Sequence, residues 1–236
     1  MKSHTSSNKS AASAILKGMK AATPIVTGYI PIAIAFGILA SQVGLGLSEA
    51  AAMSIFVFAG SAQLIAVGMI GEGASMGTIV FTTFLVNLRH LLMSSALSPF
   101  LRDLSRKELA WFGFQVTDET FALHSTRFRV AVPTALESFA LNGTAQLSWI
   151  GGTVVGVLAG GMVKDVKGLG LDYALPAMFI ALVFMQMRSK IYFIVGALGG
   201  TSAIILHLAG FGAWSTIGAT IIAATSGVVI EQWNTK

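Results

Sequence analysis

Residues 82–101 read "TTFLVNLRHLLMSSALSPFL", a run that is apolar at both ends and carries Asn87, Arg89 and His90 in its middle. Taken as a helix from about residue 74 to 99, at 1.5 Å per residue it places Arg89 roughly 22 Å from one end and roughly 15 Å from the other, beyond the reach of a snorkelling side chain. An arginine at the centre of a membrane helix costs about 2.5–3.5 kcal/mol on insertion scales, so it needs a partner or a use. At 100° per residue Thr83, Asn87, His90 and Ser94 share one stripe, while Arg89 lies beside Thr82 on another. A helix that is polar on two faces should be surrounded by protein or line a cavity.

The rest of the chain has the same character. Its 236 residues are 54% hydrophobic and 11% charged, with a mean hydropathy of +0.77. That charged fraction is far below the roughly 25% of soluble domains and defines a polytopic membrane protein. The 26 glycines against 5 prolines suit helices that pack closely in lipid. There is no cysteine, which excludes disulfides, thiolate catalysis and cysteine metal sites.

Residues 1–22 read as a polar, mobile, cytoplasmic N-terminal tail with a short amphipathic turn around Ile15, Leu16 and Met19. Lys2, Lys9, Lys17 and Lys20 precede the first apolar run, which is the positive-inside pattern. Residues 23–232 form a single transmembrane domain. Apolar segments fall at about 24–43, 49–70, 74–98, 109–126, 139–163, 173–188, 191–209 and 212–231. None alternates with period 2, and only helices and closed barrels span lipid, so the class is all-α.

Two segments are interrupted. Pro31 removes a backbone donor inside "GYIPIAIAFG", and "FVFAGSAQLIA" puts Gly60 and Ser61 at the centre of the second segment. Ordinary helix packing accounts for either alone. The functional alternative is a discontinuous helix whose second half starts at Ala62–Gln63 and aims its dipole into the bundle.

A weak repeat relates halves at about 24–130 and 135–232. "FGILASQVGLGLSEA" from Phe36 matches "VGVLAGGMVKDVKGLGLDYA" from Val155, with Ser48 answering Asp172 and Gln63 answering Gln186. If all eight segments cross, Arg102, Arg106, Lys107, Lys164 and Lys167 fall outside. If the second and sixth dip in and return, only Arg127 and Arg129 do. The latter six-crossing arrangement gives three crossings per half and an inverted repeat.

In the fourth segment Asp118 and Glu119 lie near mid-depth, sharing a side with Gln115 while His124 points away. Two adjacent carboxylates at depth do not comfortably both ionise, and one of them is the expected partner of Arg89. The bland reading is a buried ion pair that fixes helix register; the functional one is a substrate or proton path. His90 alone is ordinarily a satisfied buried histidine. No H-E-x-x-H, P-loop or nucleotide fingerprint is present. Ser61 in "GSA" is too common a pattern to indicate a serine protease, so no enzyme, cofactor or metal site is expected.

"GYIPIAIAFGILASQVGL", "FVFAGSAQLIAVGMI", "VNLRHLLMSSALSP", "VTDETFAL" and "GLDYALPAMFIALV", in this order and spacing, resemble the AzlC family of branched-chain amino acid permeases from about Ala22 to Val229. The resemblance implies export of leucine, isoleucine, valine and often methionine from the bacterial cytoplasm across the inner membrane. It also implies drive by the proton-motive force and a small AzlD-type membrane subunit as partner. The family is usually drawn with seven spans, unlike either arrangement above.

An amino acid zwitterion needs a cationic or dipolar site for its carboxylate, an acidic or carbonyl site for its ammonium and an apolar pocket. Arg89 and the Ala62–Gln63 helix start suit the carboxylate. Asp118 or Glu119 suits the ammonium or the coupled proton, with Asn87, His90, Gln63 and Ser61 as polar partners. A channel or passive facilitator whose stripe wets a pore, and a structural subunit of a membrane complex, remain as alternative readings.

Overall fold

In the computed structural model, residues 3–163, 168, 170, 173, 177, 180, 184, 190–211 and 214–234 are described, and all their regular structure is helical. Two compact units divide at Met178. Among the described residues Ser10–Gln42, Met76–Phe100 and Lys190–Leu208 are long and apolar enough to cross a membrane. Asp172, Gln186 and most of the sixth apolar segment lie outside the described residues.

The first unit is built on α1 (Ser3–Gln42) and α7 (Ala135–Gly160). The buried positions of α1, Ala22, Ile25, Tyr29, Ala33, Phe36 and Ala40, recur every three or four residues and make one stripe. That stripe meets small residues of α7. A Cβ on Gly156 would lie 2.2 Å from the carbonyl oxygen of Ile34, and one on Gly37 2.3 Å from that of Thr153. Ala33 faces Gly152 and Ser41 faces Gly160, so both helices keep a four-residue spacing of small side chains that lets the backbones touch.

This contact corrects two expectations. The first helix takes in far more than a short amphipathic turn: α1 begins at Ser3, and Gly18 already lies against Glu137 and Ala140. Nor does Pro31 break the helix. Pro24 and Pro31 both sit inside α1 on its exposed side, and the packing of the opposite face holds the helix through the missing donors.

The second apolar segment is discontinuous, as the glycine–serine pair suggests. It comprises α2 (Leu47–Ala52), a π-helical turn (Met53–Val57), Phe58 in the left-handed region (φ 42°), and α3 (Gly60–Gly71). The reversal therefore falls at Phe58–Ala59, just before Gly60. A side chain at Gly60 would strike Trp149, at 2.6 Å from its Cβ. At the other end of α3 a Cβ on Gly71 would lie 3.0 Å from Val43 Cγ1. Since α2 starts a few residues after α1 ends, both ends of the α2–α3 pair are at the C-terminal end of α1. This is a re-entrant hairpin.

From there α4 (Met76–Leu97) runs back, and the fourth segment then departs from expectation. It is not one spanning helix but a second hairpin, α5 (Arg106–Phe114) and α6 (Asp118–Val130), joined at Gln115–Thr117. The residues before α5 and after α6 converge: Leu101 and Asp103 line the same cavity as Val132 and Pro133. Phe100 also meets Phe128, ring centroids 5.6 Å apart. Leu97, Leu101, Phe112, Val116 and Phe128 form the apolar core of this end.

With both hairpins returning to their own side, two full-length helices precede α7, which therefore runs parallel to α1. The G-x-L-A repeat, whose Gly37 and Gly156 touch, is thus parallel rather than inverted. What is inverted is the pair of hairpins, which enter from opposite ends. Arg102, Arg106, Lys107, Arg127 and Arg129 fall at the end that holds Lys17 and Lys20, and Glu49 and Glu72 at the other.

In the second unit α8 (Lys190–Leu208) and α9 (Trp214–Asn234) pack antiparallel. Gly199 meets Ala223 and Gly227 meets Val195.

Candidate functional site

The two hairpin tips meet near mid-depth. Thr117 caps α6, its hydroxyl accepting from Thr120 N, while Thr120 Oγ1 accepts from Thr117 N. Asp118 and Glu119 then occupy the first turn, where the helix dipole favours anions. The predicted adjacency of the carboxylates holds, but a helix start separates their surroundings.

Arg89, from α4, is the expected partner. Its Nη2 lies 3.0 Å from Asp118 Oδ2, with side chains 28% and 14% exposed. The same nitrogen donates to Ser61 Oγ in the first turn of α3. One guanidinium therefore joins both hairpin tips, and its Nε is buried without a partner among the described residues. Asn87, two residues earlier on α4, has its Oδ1 buried and likewise unpartnered among the described residues.

The remainder of the stripe is divided. His90 is half-buried. Thr83 turns its hydroxyl back to the carbonyl of Ile79, at 2.8 Å, and Ser94 packs beside Gly113 of α5. Among the described residues Asn87 and Arg89 each keep a buried polar atom without a hydrogen-bond partner.

Glu119 has a different partner. The hydroxyl of Tyr29, on α1, donates to Glu119 Oε2 at 2.7 Å and lies 2.6 Å from Thr117 Oγ1. Tyr29 is held by Trp149 (ring centroids 5.1 Å) and Phe58 (6.4 Å). Phe58 carries the left-handed turn of the first hairpin, so the same aromatic contact positions both tips.

Gln63 is not an open ligand. It is fully buried, its Nε2 donating to Ser54 Oγ at 3.1 Å and its Oε1 accepting from Trp149 Nε1 at 3.0 Å. Ser54 is in turn 2.8 Å from Thr153 Oγ1. This tie locks the first hairpin to α7. A similar tie holds the second: Gln115 Nε2 donates to Gln146 Oε1 (2.9 Å), whose own Nε2 donates to the carbonyl of Ile55 (3.1 Å), a backbone group that the π turn leaves without an α-helical partner.

Tyr29, Thr117, Gln146 and Trp149 were not singled out by the sequence reading. The "TDET" capping pattern could have revealed the start of α6. The polar positions Ser138, Asn142, Gln146, Trp149 and Thr153 recur at helical spacing along α7 and could have revealed its inward polar face. Among the described residues no group of three or more His, Asp and Glu comes together to hold a metal ion.

The assembled site presents a guanidinium, two carboxylates and two helix starts within one protein-lined region. The positive charge comes from α4, between the uncharged Ser61 of the first tip and the carboxylate of Asp118 on the second.

Comparison with known proteins bears on identity. Residues 24–163, which contain both hairpins, match the family model described as AzlC protein. An uncharacterized membrane protein of Archaeoglobus fulgidus is 31% identical over 92% of this chain and 94% of its own length. Inner membrane protein YgaZ of Escherichia coli is 27% identical over 89% and 90%. The branched-chain amino acid transport protein AzlC of Bacillus subtilis is 28% identical over 80% and 74%. No solved structure matches. The chain is thus a membrane transport protein and belongs to the AzlC family.

Proposed function

We propose that this protein exports branched-chain amino acids, with methionine as a further substrate, across the bacterial cytoplasmic membrane, coupled to proton entry and working with a small AzlD-type membrane subunit. The observation that carries the reading is the guanidinium of Arg89 held between Ser61 on one hairpin tip and Asp118 on the other. A substrate carboxylate competes with Asp118 for Arg89, and the released Asp118 takes the substrate ammonium. Asn87 and His90 line the approach from α4. Glu119, bound to Tyr29 at 2.7 Å, carries the coupled proton. The name of the Bacillus subtilis relative supports the substrate class. The basic end shared by α1 and the second hairpin supports a cytoplasmic N-terminus.

Efflux of leucine from loaded cells expressing this chain, with and without the small subunit encoded beside it, tests the reading. Efflux above the empty-vector rate with both subunits is expected. The empty-vector rate in every combination would contradict it.

A further inference from the structure

The second hairpin carries a line of buried polar groups that the substrate site does not use. From Glu119 Oε2 the line passes to Tyr29 Oη at 2.7 Å, to Thr117 Oγ1 at 2.6 Å and to Thr120 Oγ1 at 3.3 Å. One helical turn further along the same face of α6 is His124, and both Thr120 and His124 are fully buried. His124 Nε2 lies 2.8 Å from Asn142 Oδ1. An amide oxygen only accepts, so Nε2 is the protonated nitrogen and Nδ1 is left with a free lone pair.

That lone pair is one of several unmet groups along the seam. His124 Nδ1, Asn142 Nδ2, Gln115 Oε1 and Arg127 Nη1 are all buried without a partner among the described residues. Buried polar atoms are rarely left so, and water typically completes them when several converge. Residues one turn apart on a helix face stand about 5–6 Å apart, the span of one water bridging two hydrogen bonds. Beyond His124, whose ring packs on Phe112 at 5.0 Å, lies a cavity of about 80 Å³ lined by Phe112, Leu101, Asp103, Pro133 and Ser138. It is at the end of the bundle where the hairpin enters.

We infer that this seam is a water-completed proton path joining Glu119 to the end of the bundle that holds the second hairpin's entry, through Tyr29, Thr117, Thr120 and His124. The inference rests on the proton coupling proposed above and adds its route. A proton arriving at His124 Nδ1 passes to the bridging water as that water gives one to Thr120. Thr120, Thr117 and Tyr29 each accept one proton and release their own, and the Glu119 carboxylate becomes the acid. Every hydroxyl ends neutral, and its rotation resets the line for the reverse transfer. Tyr29 donates toward Glu119 in the structure, which is the polarity this direction requires. Among the described residues, Arg127, one turn further along the same helix, pairs with Glu137 of α7. Asp118 is engaged by Arg89.

The test uses the full chain, with its small subunit, in vesicles containing an entrapped pH dye. Two quantities are read: leucine-linked proton flux and leucine–leucine counterflow. Thr120→Val and His124→Phe keep shape and remove the proton-carrying group. Thr126→Val, whose hydroxyl turns back to Ala122 O, serves as control. The expected result is a fall in leucine-linked proton flux of at least about tenfold in both variants, with counterflow within about twofold of wild type. Retention of proton flux in both variants, or loss of counterflow in step with it, would overturn the path. Wild-type vesicles without leucine-linked proton flux would overturn the coupling reading itself, and the path with it.

Discussion

Arg89 holds Asp118 at 3.0 Å and donates from the same Nη2 to Ser61, so one side chain of α4 ties together two helix starts that enter from opposite ends of the bundle. This separates a transport role from a register role. Arg89→Met leaves Asp118 without its cation and should destabilise the protein by about 3 kcal/mol. The double variant Arg89→Met, Asp118→Leu should recover most of that stability, read by thermal unfolding in detergent, yet export no leucine. Wild-type efflux from the double variant would reduce the pair to a structural device.

The contact of Gly37 with Gly156 makes a steric prediction. A Cβ at Gly156 would come within 2.2 Å of the Ile34 carbonyl, whereas at Gly151, on another face of α7, nothing lies within 4 Å. Gly156→Leu should therefore cost about 1–3 kcal/mol or prevent assembly. Gly151→Leu should unfold within a degree or two of wild type.

The two hairpins predict an accessibility pattern. The chain has no cysteine of its own, so single introduced cysteines are unambiguous. Cysteines at Ser48 and Ala74 should react with an impermeant reagent from one side of the membrane. Cysteines at Arg102 and Val132 should react from the other. Labelling of Ser48 and Ala74 from opposite sides would turn the first hairpin into a crossing.

Of the two hairpins, the first was legible and the second was not. Gly60 and Ser61 interrupt an apolar run, and glycine there is required by Trp149. The run at 109–126 has no such interruption, and its length is near that of a span, so hydropathy alone joins α5 to α6. The polar caps Ser105 and Thr117 were the available signal. Pairing of Arg89 with "TDE" was legible because a charge at depth demands an opposite one. Tyr29 was not, since its hydroxyl meets Thr117 across 88 positions of sequence and nothing local marks it. The inverted repeat failed for a related reason. Its parity counted the fourth segment as a crossing, and the hairpin there changes the direction of α7.

Outside the membrane, the cap of α5 predicts a pH dependence. Ser105 Oγ accepts from Glu108 N, and Glu108 Oε2 accepts from Ser105 N at 2.8 Å. The hydrogen bonds from the Ser105 side chain and then its backbone hold the Glu108 carboxyl below the ordinary glutamate range. A folded value below the unfolded one means that this stabilisation is present above the unfolded value and is lost as pH falls through the folded one. Amide exchange of α5 should therefore be slower in wild type than in Glu108→Gln at neutral pH, with the difference closing as Glu108 is protonated. A difference that persists into strong acid would contradict the assignment.

The proposed division of labour between the two carboxylates is open to one direct measurement, leucine export driven by a pH gradient in vesicles, compared for wild type, Asp118→Asn and Glu119→Gln. The account predicts that Glu119→Gln abolishes gradient-driven export while retaining leucine–leucine counterflow, and that Asp118→Asn impairs both. Full gradient-driven export by both variants would contradict it.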